Sequence, residues 1–250
     1  MLRVEGIEKS FGGLRVVDNC SLTVNAGEIV GLIGPNGAGK TTLFNLVVGA
    51  LQPDGGEVFF KDRRVTGWPT HRIASNGLVR TFQVPLLFED LSVIENLLVG
   101  VPRQTGEQFW NVWAQPNRID VEERSNESRA WDMLEFLNLS ETANSVARFL
   151  SGGQKKLLEL GRALMVGPNL LLLDEPVSGV NPVLAQEIAS RVLTLRERGQ
   201  TFLIIEHNME FIMELADRLY VMANGTVLRE GRPGDVRIDP AVLGAYLGTD

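Results

Sequence analysis

The spacing of apolar and polar residues changes several times along the chain, and each spacing predicts a different kind of secondary structure. The segments LRVEGIEKSF and LTVNAGEIV alternate in character, which is typical of half-buried strands. An apolar, β-branched strand is predicted over Glu28–Ile33, directly before the glycine-rich stretch GPNGAGK. The stretch TTLFNLVVGAL then has helical spacing and ends at the breaker cluster QPDGG, before a further strand, EVFF. The amino-terminal part is therefore predicted to hold several strands around one helix.

Residues 166–230 alternate buried strands with helices. The runs NLLLLDE and TFLIIEH are short and continuously apolar, as expected of strands buried on both faces of a parallel sheet. The segment PVLAQEIASRVLTLRERG predicts an amphipathic helix, and EFIMELADRLYVM predicts a helix that leads into a strand. This alternation predicts an α/β fold with a mostly parallel core sheet and helices on both of its faces.

From about residue 70 to 165 the pattern is mainly helical. RIASNGLVR and SVIENLLVG are interpreted as short helices or turns, and RSNESRAWDMLEFLNL as a longer amphipathic helix. The stretch 101–120 is polar and aromatic, and local packing of Trp110 and Trp113 is favoured over a binding role. We expect one domain, whose core comprises about 1–80 and 166–250 and whose inserted helical subdomain comprises about 81–165.

Composition and charge narrow the class of protein. Asp and Glu (31) outnumber Lys and Arg (24), and the net charge of −7 argues against nucleic-acid binding. The one cysteine, Cys20, cannot form an internal disulfide, and we expect a small buried side chain in a reducing compartment. No apolar run approaches the roughly 18 residues of a membrane helix, and the first residues lack a signal-peptide pattern. Any membrane role is expected to pass through a partner on the cytoplasmic side.

A phosphate-binding loop is the first chemical motif. Residues Gly34–Thr41 match G-x-x-x-x-G-K-[ST] between a predicted strand and a predicted helix. Glycines let backbone N–H groups approach phosphate oxygens, and the helix N-terminus adds positive potential. Lys40 is expected to reach the β- and γ-phosphates, and the Thr41 hydroxyl to ligate Mg²⁺. The motif predicts a nucleoside triphosphate site rather than an incidental turn.

Two carboxylates close one of the buried runs. Asp174 and Glu175 follow Leu170–Leu173, and ligands of open α/β sheets collect at the carboxyl ends of the strands. Asp174 is predicted to hold Mg²⁺, directly or through water, and Glu175 to orient or deprotonate the attacking water. Capping of the next element is the alternative role, and the phosphate loop makes it the weaker interpretation.

Together with LSGGQ at Leu150–Gln154, these motifs resemble the nucleotide-binding domain of the ATP-binding cassette (ABC) family, over nearly the whole chain. The resemblance implies a P-loop NTPase fold with a mostly parallel core sheet, an antiparallel β part and an inserted α-helical subdomain. It also implies that two subunits close around ATP and Mg²⁺ and hydrolyse the ATP. Each site would combine one phosphate loop with the LSGGQ of the other subunit.

The resemblance implies further roles at single positions. Gln83 would contact Mg²⁺ and the attacking water, and His207 would bind the γ-phosphate, whereas His71 receives no role. Phe11 stands where the family usually has an adenine-stacking Tyr, and Val16 would line the same base. The implied ATP contacts within one subunit come from Phe11, Val16, Gly34, Pro35, Asn36, Gly37, Ala38, Gly39, Lys40, Thr41 and Thr42. Those to the other subunit's ATP come from Leu150, Ser151, Gly152, Gly153 and Gln154.

A narrower resemblance concerns RTFQ, LFEDLSVIENLLVG, SGVNP, IIEHNME and PAVLGAYLG, which are similar to the ATPase subunits of branched-chain amino acid importers. It implies a peripheral protein on the cytoplasmic face of the cell membrane. The implied partners are a second ABC ATPase subunit in a homo- or heterodimer, integral-membrane permease subunits and, indirectly, a periplasmic or extracellular solute-binding protein.

Four alternatives remain open at this point. Urea and related amide importers, and some lipopolysaccharide exporters, use similar ATPase subunits. A soluble ABC ATPase of translation or DNA repair usually carries two cassettes or a coiled-coil insertion, which this chain lacks. A regulatory subunit that binds ATP without useful turnover is disfavoured by the presence of Glu175 and His207.

Overall fold

The computed structural model describes residues 1–81, 86–107 and 109–247. It contains two compact units, and the first of them is built on two β-sheets. The first unit comprises Met1–Gln83 and Asn169–Asp250, and the second comprises Val84–Pro168. A six-stranded sheet has the order β10-β9-β3-β8-β7-β6, and a four-stranded sheet has the order β2-β1-β4-β5. The strands are β1 (Leu2–Phe11), β2 (Leu14–Val24), β3 (Ile29–Ile33), β4 (Gly55–Phe60), β5 (Arg63–Arg64), β6 (Leu78–Arg80), β7 (Leu170–Asp174), β8 (Thr201–Ile205), β9 (Arg218–Ala223) and β10 (Thr226–Gly231).

Strands that pair in parallel at the centre of the six-stranded sheet are also the most completely buried. β6, β7, β8, β3 and β9 pair in parallel, and β10 adds an antiparallel edge to β9. β3, β7 and β8 are buried at every position, as strands covered on both faces must be, whereas the four-stranded sheet pairs antiparallel throughout its described strands. The predicted combination of a mostly parallel sheet with an antiparallel part is confirmed.

The first unit also contains helices. They are α1 (Lys40–Val47), α2 (Thr70–Ser75), α7 (Pro182–Glu197), α8 (Met209–Leu215), α9 (Pro233–Arg237) and α10 (Pro240–Leu247). One cluster of buried side chains includes Phe44 and Leu43 of α1 together with residues of both sheets, such as Val4 and Leu172. This packing fixes α1, and therefore the loop that precedes it, against the sheets.

The second unit is helical in its described residues. Its helices are α3 (Val93–Val99), α4 (Phe109–Ala114), α5 (Pro116–Phe136) and α6 (Gly152–Met165), with short 3₁₀ turns at Thr105–Glu107, Ser140–Thr142 and Ala147–Phe149. Ser92 caps α3 in a reciprocal pair with Glu95, as the sequence Ser-x-x-Glu favours. Gly161 lets α5 and α6 pack closely, because an added Cβ would lie 2.5 Å from a methyl carbon of Leu137.

The segment RIASNGLVR differs from its interpretation as a short helix or turn. Only its first part is helical, because α2 ends at Ser75 and Gly77 then adopts a φ of +96°. Leu78–Arg80 forms β6, which pairs in parallel with β7. Three residues are too few to show a period, so the pairing with a distant strand decides their conformation.

The tryptophans of the aromatic excursion are not buried by local packing, contrary to the interpretation favoured from the sequence. Trp110 and Trp113 are 79% and 77% exposed. The Trp110 ring does meet Phe109 edge-on, with 5.7 Å between centroids, but Phe109 is itself exposed. A six-residue helix has too little apolar surface of its own to cover two such rings.

Cys20 is buried in β2, as expected, and its Sγ lies 2.9 Å from the carbonyl oxygen of Gly225. Burial raises the pKa of this thiol to about 11. Because the thiolate is the reactive species, the native chain at pH 8 should react with a thiol-specific chromogenic reagent about a hundredfold more slowly than the denatured chain. Equal rates in the presence and absence of denaturant would contradict this placement.

Candidate nucleotide site

The turn after β3 forms the candidate phosphate-binding loop. It leads from Gly34 into α1, which begins at Lys40. Gly39 has a φ of +95°, and a Cβ added to it would lie 2.5 Å from the carbonyl oxygen of Val16 in β2. A larger residue would therefore clash with β2, so the loop takes this path because position 39 is glycine.

Lys40 lies buried at the first position of α1, and the loop itself holds its ammonium group. Nζ donates to the carbonyl oxygens of Gly34 at 2.8 Å and Pro35 at 2.9 Å. Burial lowers the pKa of Lys40, whereas the negative charges of Glu175 and Asp174 raise it and limit the shift. Lys40 therefore lies within range of the charges of both predicted carboxylates.

Asp174 ends β7 and is 4% exposed. Its Oδ2 accepts a hydrogen bond from Nη2 of Arg80 at 2.5 Å, and Nη1 of Arg80 donates to Oδ1 of Asn45 on α1 at 2.5 Å. Arg80 was not identified from the sequence. The available signal is a basic residue directly after the apolar pair Leu78–Val79, but the sequence favours a short helix or turn for that segment.

The Arg80–Asp174 pair supports a stability prediction. Arg80→Met should lower the free energy of unfolding by about 3 kcal/mol, because Asp174 would stay buried without its charged partner. Urea denaturation of the purified chain measures the change. The matched control is Arg64→Met, which breaks an exposed ion pair with Glu57 and should cost less than about 1 kcal/mol. Equal losses for the two variants would contradict the buried pair.

Glu175 follows Asp174 in a left-handed turn, with a φ of +49°. Its backbone N–H donates to the carbonyl oxygen of Ile205 at 2.9 Å, which ties it to the end of β8. Oε1 of Glu175 lies 3.6 Å from Nδ1 of His207, whose side chain is 55% exposed. The two predicted catalytic side chains therefore meet where two neighbouring parallel strands end.

A further carboxylate, that of Glu206, lies completely buried beside this pair. It was not identified from the sequence, although it closes the run TFLII as Asp174 closes Leu170–Leu173. Its hydrogen bonds all go to backbone N–H groups among the described residues, at Val177, His207 and Asn208.

The LSGGQ segment lies in the second unit, at the start of α6. Oγ of Ser151 accepts from the backbone N–H of Gln154 at 3.3 Å, and Oε1 of Gln154 accepts from the backbone N–H of Ser151 at 3.0 Å. This capping box fixes the first turn of a 14-residue helix. Gly152 is exposed, and an added Cβ would meet nothing within 4 Å. Leu150, by contrast, is buried.

The residues predicted to contact adenine lie on β1 and β2 of the four-stranded sheet. Phe11 ends β1 with 47% of its surface exposed, and Nζ of Lys9 lies 5.7 Å from its ring centroid. Val16 is half-buried and contributes the backbone oxygen next to Gly39. Gln83 lies outside the described residues.

Comparison with known proteins decides the family. Residues 17–178 match the sequence model of the family described as ABC transporter. The chain belongs to the ABC transporter family. The resemblance to the ABC family, the predicted fold class and the prediction of an ABC ATPase are confirmed.

Relatives of this ABC ATPase match it over nearly its whole length. It is 41% identical to the probable branched-chain amino acid transport ATP-binding protein LivG of Archaeoglobus fulgidus, covering 99% of this chain and 95% of that protein. It is likewise 41% identical to the high-affinity branched-chain amino acid transport ATP-binding protein LivG of Salmonella typhimurium, covering 99% and 98%. A crystal structure of a nucleotide-free ATP-binding cassette from an ABC transporter is 40% identical, with a TM-score of 0.85 over 98% of each chain.

None of the helices in the described part of this ABC ATPase is both long enough and apolar enough to cross a membrane.

Proposed function

We propose that this chain is the ATP-hydrolysing subunit of an importer of branched-chain, hydrophobic amino acids. The observation that carries the proposal is its identity of about two residues in five, over 99% of its length, to proteins named as branched-chain amino acid transport ATP-binding proteins. The chemistry of the proposed site supports it, because the lysine, the two carboxylates and the histidine converge in the first unit.

The phosphate loop and Lys40 would bind the triphosphate of ATP. Loop N–H groups and the start of α1 offer donors to phosphate oxygens, and the Lys40 ammonium would exchange its two carbonyl partners for β- and γ-phosphate oxygens. Phe11 presents a half-exposed ring on which adenine would stack, with Val16 beside it.

Hydrolysis needs a water molecule aligned with the γ-phosphate. Glu175 would orient this water and accept its proton, because its carboxylate lies at the end of β7 near Lys40. His207 would donate to the γ-phosphate from the neighbouring strand end, 3.6 Å from Glu175. Gln83 would contact the same water.

Oxygen donors suited to Mg²⁺ are present in the proposed site. The hydroxyl of Thr41, on the first turn of α1, and the carboxylate of Asp174 are hard ligands of the kind that Mg²⁺ prefers. The described residues contain no group of three or more His, Cys, Asp and Glu side chains arranged to hold a metal. Thr41, Asp174 and Gln83 would hold the ion, which neutralises charge on the phosphates.

The LSGGQ segment would complete the ATP site of a second subunit. Ser151 and Gln154 fix the start of α6, and the open surface at Gly152 would let a phosphate approach the helix N-terminus. We propose a dimer with a second ABC ATPase subunit, bound on the cytoplasmic side of the membrane to permease subunits. A solute-binding protein would act indirectly, through the permease.

Affinity purification from the membranes of its own cells tests the assembly. The tagged chain should recover integral-membrane permease subunits together with an ABC ATPase subunit. Recovery of ribosomal or DNA-repair proteins without a membrane partner would instead support a soluble ABC ATPase and contradict the transport proposal.

Uptake of labelled solutes tests the transported class. Cells that carry only a Lys40→Met form of the chain should lose ATP-dependent uptake of leucine and keep uptake of urea. Loss of urea uptake alone would assign the chain to a urea or amide importer. If the uptake of every solute were unchanged but the cells had a defect in their outer-membrane lipopolysaccharide, the chain would belong to an exporter.

A further inference from the structure

Glu206 is a buried carboxylate next to the proposed catalytic pair, and no step of the hydrolysis described above uses it. Its side chain is 0% exposed and follows directly on β8. In the parallel pairing of β7 with β8, Asp174 stands opposite Ile205, so Glu206 lies level with Glu175 at the carboxyl end of the sheet. An ionisable group is seldom buried so completely unless hydrogen bonds hold it.

The two carboxylate oxygens of Glu206 bind different loops. Oε1 accepts from the backbone N–H of Val177 at 3.1 Å, in the loop that follows β7. Oε2 accepts from the backbone N–H of His207 at 2.8 Å and of Asn208 at 2.9 Å, in the turn that follows β8. One side chain thus links the loop that begins with Glu175 to the turn that contains His207.

The backbone conformation of Glu175 has to be stabilised by its neighbours. Its φ of +49° lies in the left-handed region, which a residue with a side chain adopts only where its surroundings hold it there. On one side its own N–H donates to the carbonyl oxygen of Ile205 at 2.9 Å. On the other side, two residues further on, Val177 is held by Glu206.

We propose that Glu206 is a positioning residue for ATP hydrolysis. Its carboxylate holds the loop of Glu175 and the turn of His207 in one arrangement, so that the two side chains keep their separation of 3.6 Å. Glu206 touches neither ATP nor water in this role and acts through Glu175. The inference rests on the proposed site, in which Glu175 aligns the attacking water.

The hydrogen-bond pattern explains why a carboxylate is required. All three of its hydrogen-bond partners are backbone N–H donors, and they lie on both sides of the carboxylate, so both oxygens must accept. Nδ1 of the His207 imidazole lies further away, 3.8 Å from Oε2. In Glu206→Gln one oxygen becomes an NH₂ group, which is itself a donor and would face an N–H. The amide can therefore hold either loop but not both.

Steady-state hydrolysis by the full chain, alone and in the complex recovered with it, tests the role. Glu206→Gln should lower kcat by about tenfold or more, because displacement of a catalytic group by a fraction of an ångström is sufficient for such a loss. The KM for ATP and the Kd of a fluorescent ATP analogue should change by less than about threefold, because Lys40 and the phosphate loop are untouched. Equal loss in kcat and in nucleotide affinity, or no loss in kcat, would overturn the proposal.

Two controls separate positioning from general destabilisation. Glu214→Gln makes the same chemical change at an exposed position of α8 and should keep full turnover. Val58→Ala weakens the core of the four-stranded sheet and should lower the melting temperature without lowering kcat below that temperature. Should Glu206→Gln melt below the assay temperature, Glu206→Asp serves instead, since its carboxylate is one methylene too short to reach both loops.

A double-mutant comparison tests whether Glu206 acts through Glu175. In a Glu175→Gln background, adding Glu206→Gln should lower the residual rate by less than about threefold, because the catalytic carboxylate is already gone and only the turn of His207 is left to position. A further tenfold loss would overturn the positioning role while leaving the proposed site intact. Full turnover by Glu175→Gln alone would instead overturn the proposed site, and the positioning role with it.

Discussion

Glu175→Gln should lower the turnover of ATP by about a hundredfold or more while leaving nucleotide binding intact. The amide keeps the size of the side chain and can still contact water, but it cannot accept a proton. Because Lys40 and the phosphate loop are unchanged, the variant should accumulate ATP-bound protein. Phosphate release by the purified full chain measures turnover, and size-exclusion chromatography in the presence of ATP should show a trapped dimer.

The matched control for this variant is Glu197→Gln, at an exposed position near the end of α7. It makes the same change in charge on the same unit and should hydrolyse ATP at the unaltered rate. If Glu175→Gln retained the turnover of that control, Glu175 would not be the base, and another group near the γ-phosphate would have to align the water.

Lys40→Met should weaken ATP binding by about 10- to 100-fold and remove measurable hydrolysis, because charge-assisted hydrogen bonds to the phosphates are worth about 1.5–3 kcal/mol. The thioether side chain fills much of the same buried space but carries no charge. Titration of a fluorescent ATP analogue measures affinity.

Lys61→Met provides the control for the lysine change. Lys61 lies exposed in the turn after β4, where its Nζ donates to Asn169 at 2.5 Å, outside the proposed site. Its loss should leave affinity for ATP unchanged. Similar affinities for the two variants would contradict the assignment of Lys40 as the phosphate-binding lysine. The two principal predictions also differ from each other, since Glu175→Gln should lose turnover but keep ATP, whereas Lys40→Met should lose both.

The strands and the loop on which the proposed site is built could be predicted from the order of residues alone. The apolar runs before Gly34, at Leu170–Leu173 and at Thr201–Ile205 predicted buried strands, and all three are strands of the parallel sheet. The glycine-rich loop was predicted because phosphate binding demands a local pattern, strand, loop and helix, that lies within one stretch of the chain.

The side chains that support the proposed catalytic groups could be identified only in the folded chain. Arg80 reaches Asp174 because β6 pairs with β7 across some 90 residues of chain, and no local pattern shows that pairing. Glu206 holds the loop after β7 because β8 lies beside that strand. The left-handed turn at Glu175 has no signal in its residue type either.

This difference follows from the distance along the chain over which each interaction acts. Periodicity and glycine placement act over a few residues, and they are therefore written in the sequence. A buried ion pair or a carboxylate shared by two loops depends on which strands become neighbours, and folding of the whole sheet settles that.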